Sequence, residues 1–276
     1  MIWQVSHWDS REEKLTDWRR HERRRDEVKS RAEIPDHMYS YCRVIRCGKP
    51  ARAGTADGLD MRFCRSHADH YQRHGDPLQG SYAASVLNPY RRAAFDWITA
   101  HVDDFQVKHA IEAIQGLYRR AGTAEEAFRL RGMKPEERAK VAWARLRKAE
   151  VDPRLPLAAW LAVEMAVRED PQSVTKTEFK RVQAAKIVHR LSSGTHKRWI
   201  KERPHPSDPF IKQTVVSELH SYPKSRGRVL RHIGEDLEKA AELLAQAHLD
   251  AILSFKKERE AAGKLATRPH PARAVG

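Results

Sequence analysis

Three cysteines and one histidine fall within a short stretch of this 276-residue chain, and their spacing restricts the local fold more than any other feature. The pattern is Cys42-x4-Cys47, sixteen residues, then Cys64-x2-His67. Three cysteines cannot all pair within one chain. Clustered beside a histidine, they point to a reducing compartment and a metal site, not to a disulfide framework. Three thiolates and one imidazole fill the four positions of tetrahedral zinc and leave none open, which is the arrangement of a structural ion. Gly48 follows Cys47 and lets the backbone turn so that amides can point at sulfur. Cys64 falls where a short helix over 65–74 would begin, and the positive end of a helix favours thiolate over thiol. His67 comes one turn later on the same face, and His70 and His74 lie near enough to that face to replace it. Short strands are expected over 39–45 and 59–63, and Gly75-Asp76-Pro77 should stop the helix. The plainer reading is three buried cysteines and a surface histidine.

The stretch CRVIRCGKPARAG…GLDMRFCRSHADHYQRHGDP resembles the small Cys-Cys-Cys-His, treble-clef-like modules of bacteriophage and mobile-element proteins. In those, a C-x4-C knuckle precedes a glycine-containing strand, a C-x2-H pair and an arginine-rich helix ending near Gly-Asp-Pro. The resemblance covers about one sixth of the chain. It implies ligand roles for Cys42, Cys47, Cys64 and His67 and a nucleic-acid contact for Arg73. Modules of this kind often accompany HNH-type endonucleases or DNA-binding domains. Residues beyond 88 resemble no family.

The rest of the chain reads as mainly α: a multi-helix domain behind a small α+β zinc-binding module. The expected divisions are a charged helical arm over 1–34, the module over 35–85, a helical domain over 86–262 and a disordered tail over 263–276. Helices are expected from Tyr90 onward (with Tyr90, Ala94, Trp97 and Ile98 on one face), along Val107, Ile111, Ile114 and Tyr118, and from Pro135. Residues 155–168 are apolar nearly all round and should form a buried central helix. A helix over 174–191 is followed by an expected loop over 192–209. A final helix from about 228 to 262 carries Leu230, Ile233, Leu237, Ala240, Leu244, Ala247 and Ala251 in steps of three and four. That stripe serves either the chain's own core or self-association. No apolar run approaches the roughly 18 residues of a membrane span, and the N-terminus shows no secretory pattern, so a cytoplasmic location is expected.

The net charge of +15 is unevenly spread. Residues 172–232 hold 14 basic and 4 acidic side chains, and residues 38–92 hold 9 and 4, whereas the other segments are nearly balanced. Clustered excess charge attracts polyanions, while scattered charge mainly aids solubility. Lys176, Lys180, Lys186 and Arg190 share about a third of a helical wheel. Lys197, Arg198, Trp199, Lys201 and Arg203 interleave cations with an aromatic, and Lys224, Arg226, Arg228 and Arg231 form a further cluster. Cations of this kind neutralise phosphates, and an aromatic can stack on an unpaired base. The alternative is a solvated basic face with Trp199 turned inward.

No catalytic residue is assigned. The single asparagine, Asn88, and the nearest downstream helical histidine, His101, stand too far apart for an HNH unit. There is no phosphate-cradling glycine loop and no nucleophile elbow. Tyr222 with its basic neighbours is a weak strand-transfer pattern. The expectation is a zinc-containing nucleic-acid-binding accessory or regulatory protein, with DNA favoured over RNA. A metal-dependent nuclease and an assembly protein that binds an acidic partner are the alternatives.

Overall fold

In the computed structural model, which describes residues 41–263 apart from 52, 56–57, 131, 172–176, 192–194, 206–207 and 222–226, the cysteine-bearing segment turns back on itself instead of extending. Arg46 and Gly48 both take positive φ, 65° and 59°, and the turn closes through Cys47 N–H to Val44 O (3.0 Å) and Cys42 N–H to Lys49 O (2.8 Å). From residue 41 on, where the description begins, the strand expected over 39–45 is therefore a knuckle, with Tyr41 bridging to Pro50. The second expected strand shifts to an antiparallel hairpin, β1 (Ala53–Thr55) with β2 (Gly58–Asp60). It ends at Asp60 because that carboxylate accepts from the backbone amides of Arg62 and Phe63. Helix α1 (Arg65–His74) follows, with Cys64 as N-cap and Gly75 as a left-handed C-cap at φ 79°. Asp76 then accepts from the amides of Leu78 and Gln79, both at 2.8 Å, and fixes the turn after the helix.

The chain divides at Gly80/Ser81 into two units. The second is built on helices α2 (Ala84–Ala100), α3 (Phe105–Arg120), α4 (Pro135–Lys148), α5 (Arg154–Glu169), α6 (Thr177–Leu191) and α7 (Arg228–Ala261). A short 3-10 turn, Ala127–Leu130, lies between α3 and α4. Helix α2 starts six residues before the expected Tyr90 and runs through Pro89, its early turns anchored by the buried Leu87. Asp104 caps α3 by accepting from the amides of Gln106 and Val107. Helix α4 begins at Pro135, with Glu136 and Glu137 in its first turn facing the positive helix end.

Helix α5 is the centre of the core. Leu157, Trp160, Leu161, Val163 and Met165 are buried along it, and it packs against α2, α3, α6 and α7. Helix α7, 34 residues and about 51 Å long at the usual rise, runs along α2, α3, α4, α5 and α6. Leu230, Ile233, Leu237, Ala240 and Leu244 of its stripe are buried in the chain's own core, but Ala247 and Ala251 are exposed. Burial moves instead to Ile252 and Leu253, because a 3.6-residue turn drifts away from a strict seven-residue repeat. Gly234 permits the close crossing of α6 and α7: a Cβ there would stand 2.5 Å from the Arg181 carbonyl oxygen.

Part of the loop expected over 192–209 is strand. Residues Thr195–His205 form β3, which pairs antiparallel with β4 (Asp208–Ser221), from Thr195 opposite Ser221 to Pro204 opposite Lys212, with an irregularity beyond Pro204. The β-branched run Thr214, Val215, Val216 and the closely spaced Pro204, Pro206 and Pro209 near the turn are the sequence signals for it. The expected arm over 1–34, most of the tail, Lys176, Tyr222, Lys224 and Arg226 lie outside the described residues. No described helix is long and apolar enough to cross a membrane.

Candidate metal centre and basic ribbon

The knuckle and the start of α1 bring four donor atoms together. The sulfurs of Cys42, Cys47 and Cys64 and a ring nitrogen of His67 all lie within 4.8 Å of one another. Cys47 Sγ is 3.7 Å from Cys64 Sγ. His67 Nδ1 is 3.4 Å from both Cys42 Sγ and Cys64 Sγ. A tetrahedral ion with metal–sulfur bonds near 2.3 Å and metal–nitrogen bonds near 2.0 Å sets these edges at about 3.8 and 3.5 Å. These three separations are close to those of a shared ion, and the cluster could bind a metal. His70 is not an alternative donor here, since its Nδ1 lies 2.8 Å from the Asp76 carbonyl oxygen and its ring packs against His74, centroids 4.4 Å apart.

The local electrostatics favour ionisation at Cys64 and oppose it at Cys42. Burial pushes the Cys64 thiol up, but the Ser66 hydroxyl, the His67 backbone amide and the other two cysteines outweigh it and bring Cys64 down to about 6. Burial prevails at Cys42, whose thiol is raised despite backbone amides of Cys64 and Val44 directed at its sulfur. Metal ligation uses the thiolate, the form that these surroundings favour at Cys64 and oppose at Cys42. The apolar support is small: Cys42, Phe63, Cys64 and Ala68 are buried, with Val44, Cys47 and Tyr71 against them. Arg62 covers Tyr71, its guanidinium carbon 4.7 Å from the ring centroid. Among the described residues so small an apolar cluster offsets little of the entropy of ordering the segment, a deficit that metal ligation would reduce.

The candidate nucleic-acid residues divide by their surroundings. Lys180 holds Glu164 at 2.8 Å on α5, and Lys186 donates to Ser81 Oγ at 2.7 Å. Arg231 pairs with Glu178 and donates to the Gly227 carbonyl. These three side chains of the basic segment serve the second unit internally. Arg190 and Arg228 are exposed, and in the first unit Arg73 is exposed on the last turn of α1.

Arg198, Trp199, Lys201, Lys197 and Arg203 all fall on β3, where alternation separates them into two faces. Positions 197, 199, 201 and 203 share one face and lie opposite Leu219, Ser217, Val215 and Gln213. No carboxylate occupies any of those eight positions. Lys201 Nζ stands 5.4 Å from the Trp199 ring centroid. The opposite face pairs its charges: Arg198 with Glu218 at 3.5 Å and Lys212 with Glu202 at 3.4 Å. Trp199, Val215 and Leu219 stand outside the core cluster. Sequence reasoning found the residues of this ribbon but not the element, since it read 192–209 as a loop and did not register 195 against 221. No protein-family model, curated protein or solved structure matches the chain.

Proposed function

We propose that this chain is a zinc-containing nucleic-acid-binding protein whose β3–β4 ribbon makes the principal contact, with duplex DNA favoured over RNA. The observation that carries the reading is the sorting of charge on the ribbon: over positions 197–203 and their partners one face has register positions for three cations and a tryptophan and no acid, while the other neutralises its own charges. A B-DNA major groove admits a two-stranded ribbon, whereas the A-form groove of RNA is too deep and narrow for side chains to read. Lys197, Lys201 and Arg203 then neutralise phosphates, and Trp199 offers an apolar surface with Lys201 beside it. Exposed Arg190 and Arg228 extend the positive field. The likeness of the cysteine module to those of phage and mobile-element proteins agrees with DNA as the partner.

The ion at Cys42, Cys47, Cys64 and His67 is zinc in this reading, because three soft thiolates and an imidazole in a tetrahedron select it over harder cations. With four protein ligands no position is left for water or substrate, so the ion is structural and not the centre of a nuclease.

The test is fluorescence anisotropy on a labelled duplex across salt. Each phosphate contact contributes a slope of about −0.9 in log affinity against log salt. Reversing Lys197, Lys201 and Arg203 to Glu should weaken binding strongly and flatten the slope by about 3. The same change at Arg198 and Lys212 should do much less. Affinity that does not move with salt, or equal losses from the two faces, would overturn the reading.

A further inference from the structure

A cleft of about 330 Å³ opens along the contact between α2 and α5. Its apolar wall is Phe95 of α2 with Leu155 and Ala158 of α5, and its polar rim is Asn88, Arg91, Arg92 and Asp96. The rim carboxylate is already neutralised: Asp96 is held by Arg259 from α7 at 2.6 Å. Arg91 is in the opposite position. It is half-buried, burial alone lowers its pKa, and its hydrogen bond is to a neutral group, Asn88 Oδ1, at 3.3 Å. Among the described residues no carboxylate is within ion-pair reach of it. Other arginines of this unit are treated differently. Arg154 reaches Asp152, Arg181 reaches Glu238, and Arg231 reaches Glu178.

A guanidinium does not deprotonate in a protein, so taking it out of water without a counter-charge costs stability. At Arg91 the fold retains that cost at the rim of a concave surface. The size is at the lower end of ligand pockets, which run from roughly 300 to 1,000 Å³. The complement of this cleft is a molecule with an anionic end for the fork of Arg91 and a flat or aliphatic body for Phe95 and Leu155.

We propose that the α2–α5 cleft binds a small organic anion, a carboxylate or a phosphate monoester with an apolar body, through Arg91. Asn88 fixes the guanidinium by accepting from it, and a bidentate contact to the anion supplies the missing charge. The site belongs to the second unit alone and does not depend on the ribbon or on the metal centre.

The experiment uses the full chain and three probes: benzoate, phenyl phosphate and inorganic phosphate. Melting temperature and isothermal titration are read on wild type, Arg91→Leu and Arg91→Lys. Saturable binding of benzoate or phenyl phosphate to wild type is expected, with affinity lowered about tenfold or more by Arg91→Leu and less by Arg91→Lys. Whichever of the two probes binds more tightly identifies carboxylate or phosphate as the headgroup. Without ligand, Arg91→Leu should melt at or above wild type, because it removes an uncompensated charge. A lowered melting temperature for unliganded Arg91→Leu would mark Arg91 as a structural residue and overturn the proposal. So would an absence of saturable binding, binding unchanged by Arg91→Leu, or inorganic phosphate binding as well as phenyl phosphate.

Discussion

His189 shows how position converts a side chain's chemistry into stability. Burial, then the positive charges of Arg145, Arg138 and Arg190, lowers its pKa from 6.5 to about 4. The folded protein therefore holds it neutral, while the unfolded chain protonates it near 6.5. Protons bind the unfolded state first, so the contribution is complete above pH 6.5 and is lost as pH falls toward 4. From the size of the shift the loss is about 3 kcal/mol. Thermal melts from pH 7 to pH 4 should show this decline in wild type and a shallower one in His189→Gln; parallel curves would refute it. Further down the scale the Asp152 carboxyl, held below its usual range by Arg154, adds its own loss. Gly234 is a second single-residue test. Alanine there meets the Arg181 backbone, so Gly234→Ala should destabilise by about 1–3 kcal/mol, the usual cost of overpacking. Chemical denaturation that gave no change would contradict the close α6–α7 crossing.

At the scale of elements, the ribbon and the knuckle carry the functional proposals, and both depend on turns. The knuckle uses positive φ at Arg46 as well as at Gly48, a conformation that L-residues adopt at some expense. Ligation of Cys47, the residue immediately after Arg46, is what the proposed ion contributes in return. Plasma emission on purified protein should find one zinc per chain, and Cys47→Ala should lower that content and expose the segment to protease. A protein that resists protease equally with and without a chelator would sink the structural role. For the ribbon, Trp199→Ala should weaken DNA binding while leaving the helical melt unchanged, since Trp199 does not belong to the core cluster. A fall in melting temperature with unaltered binding would reassign Trp199 to packing.

For the whole molecule, the division at Gly80/Ser81 separates two ways of achieving stability. The second unit holds a large apolar core around α5, reinforced by links such as Trp143 Nε1 donating to Asp236 at 2.8 Å and Lys256 to Glu169 at 3.3 Å. Among its described residues the first holds five buried apolar residues and a candidate metal site. Removing metal should therefore release the first unit and leave far-ultraviolet helicity nearly intact. Circular dichroism with and without chelator measures this, and a wholesale loss of helix would contradict it.

Much of this was legible in the residues themselves. The Cys-x4-Cys and Cys-x2-His spacings identified the four donors, the all-round apolar pattern identified α5 as central, and periodicity gave α7 nearly to its ends. Those signals are local: a ligand pair or a helical face is defined by neighbours a few positions apart. Tertiary structure alone decided the rest. It turned part of the expected 192–209 loop into a strand, because pairing 195 with 221 is a long-range event with only weak local signs. It also decided which cations stay in water, since a lysine cannot show in sequence whether a glutamate on another helix will meet it. Lys180 found Glu164 and Arg231 found Glu178, while Arg91, no different by type, found a cleft.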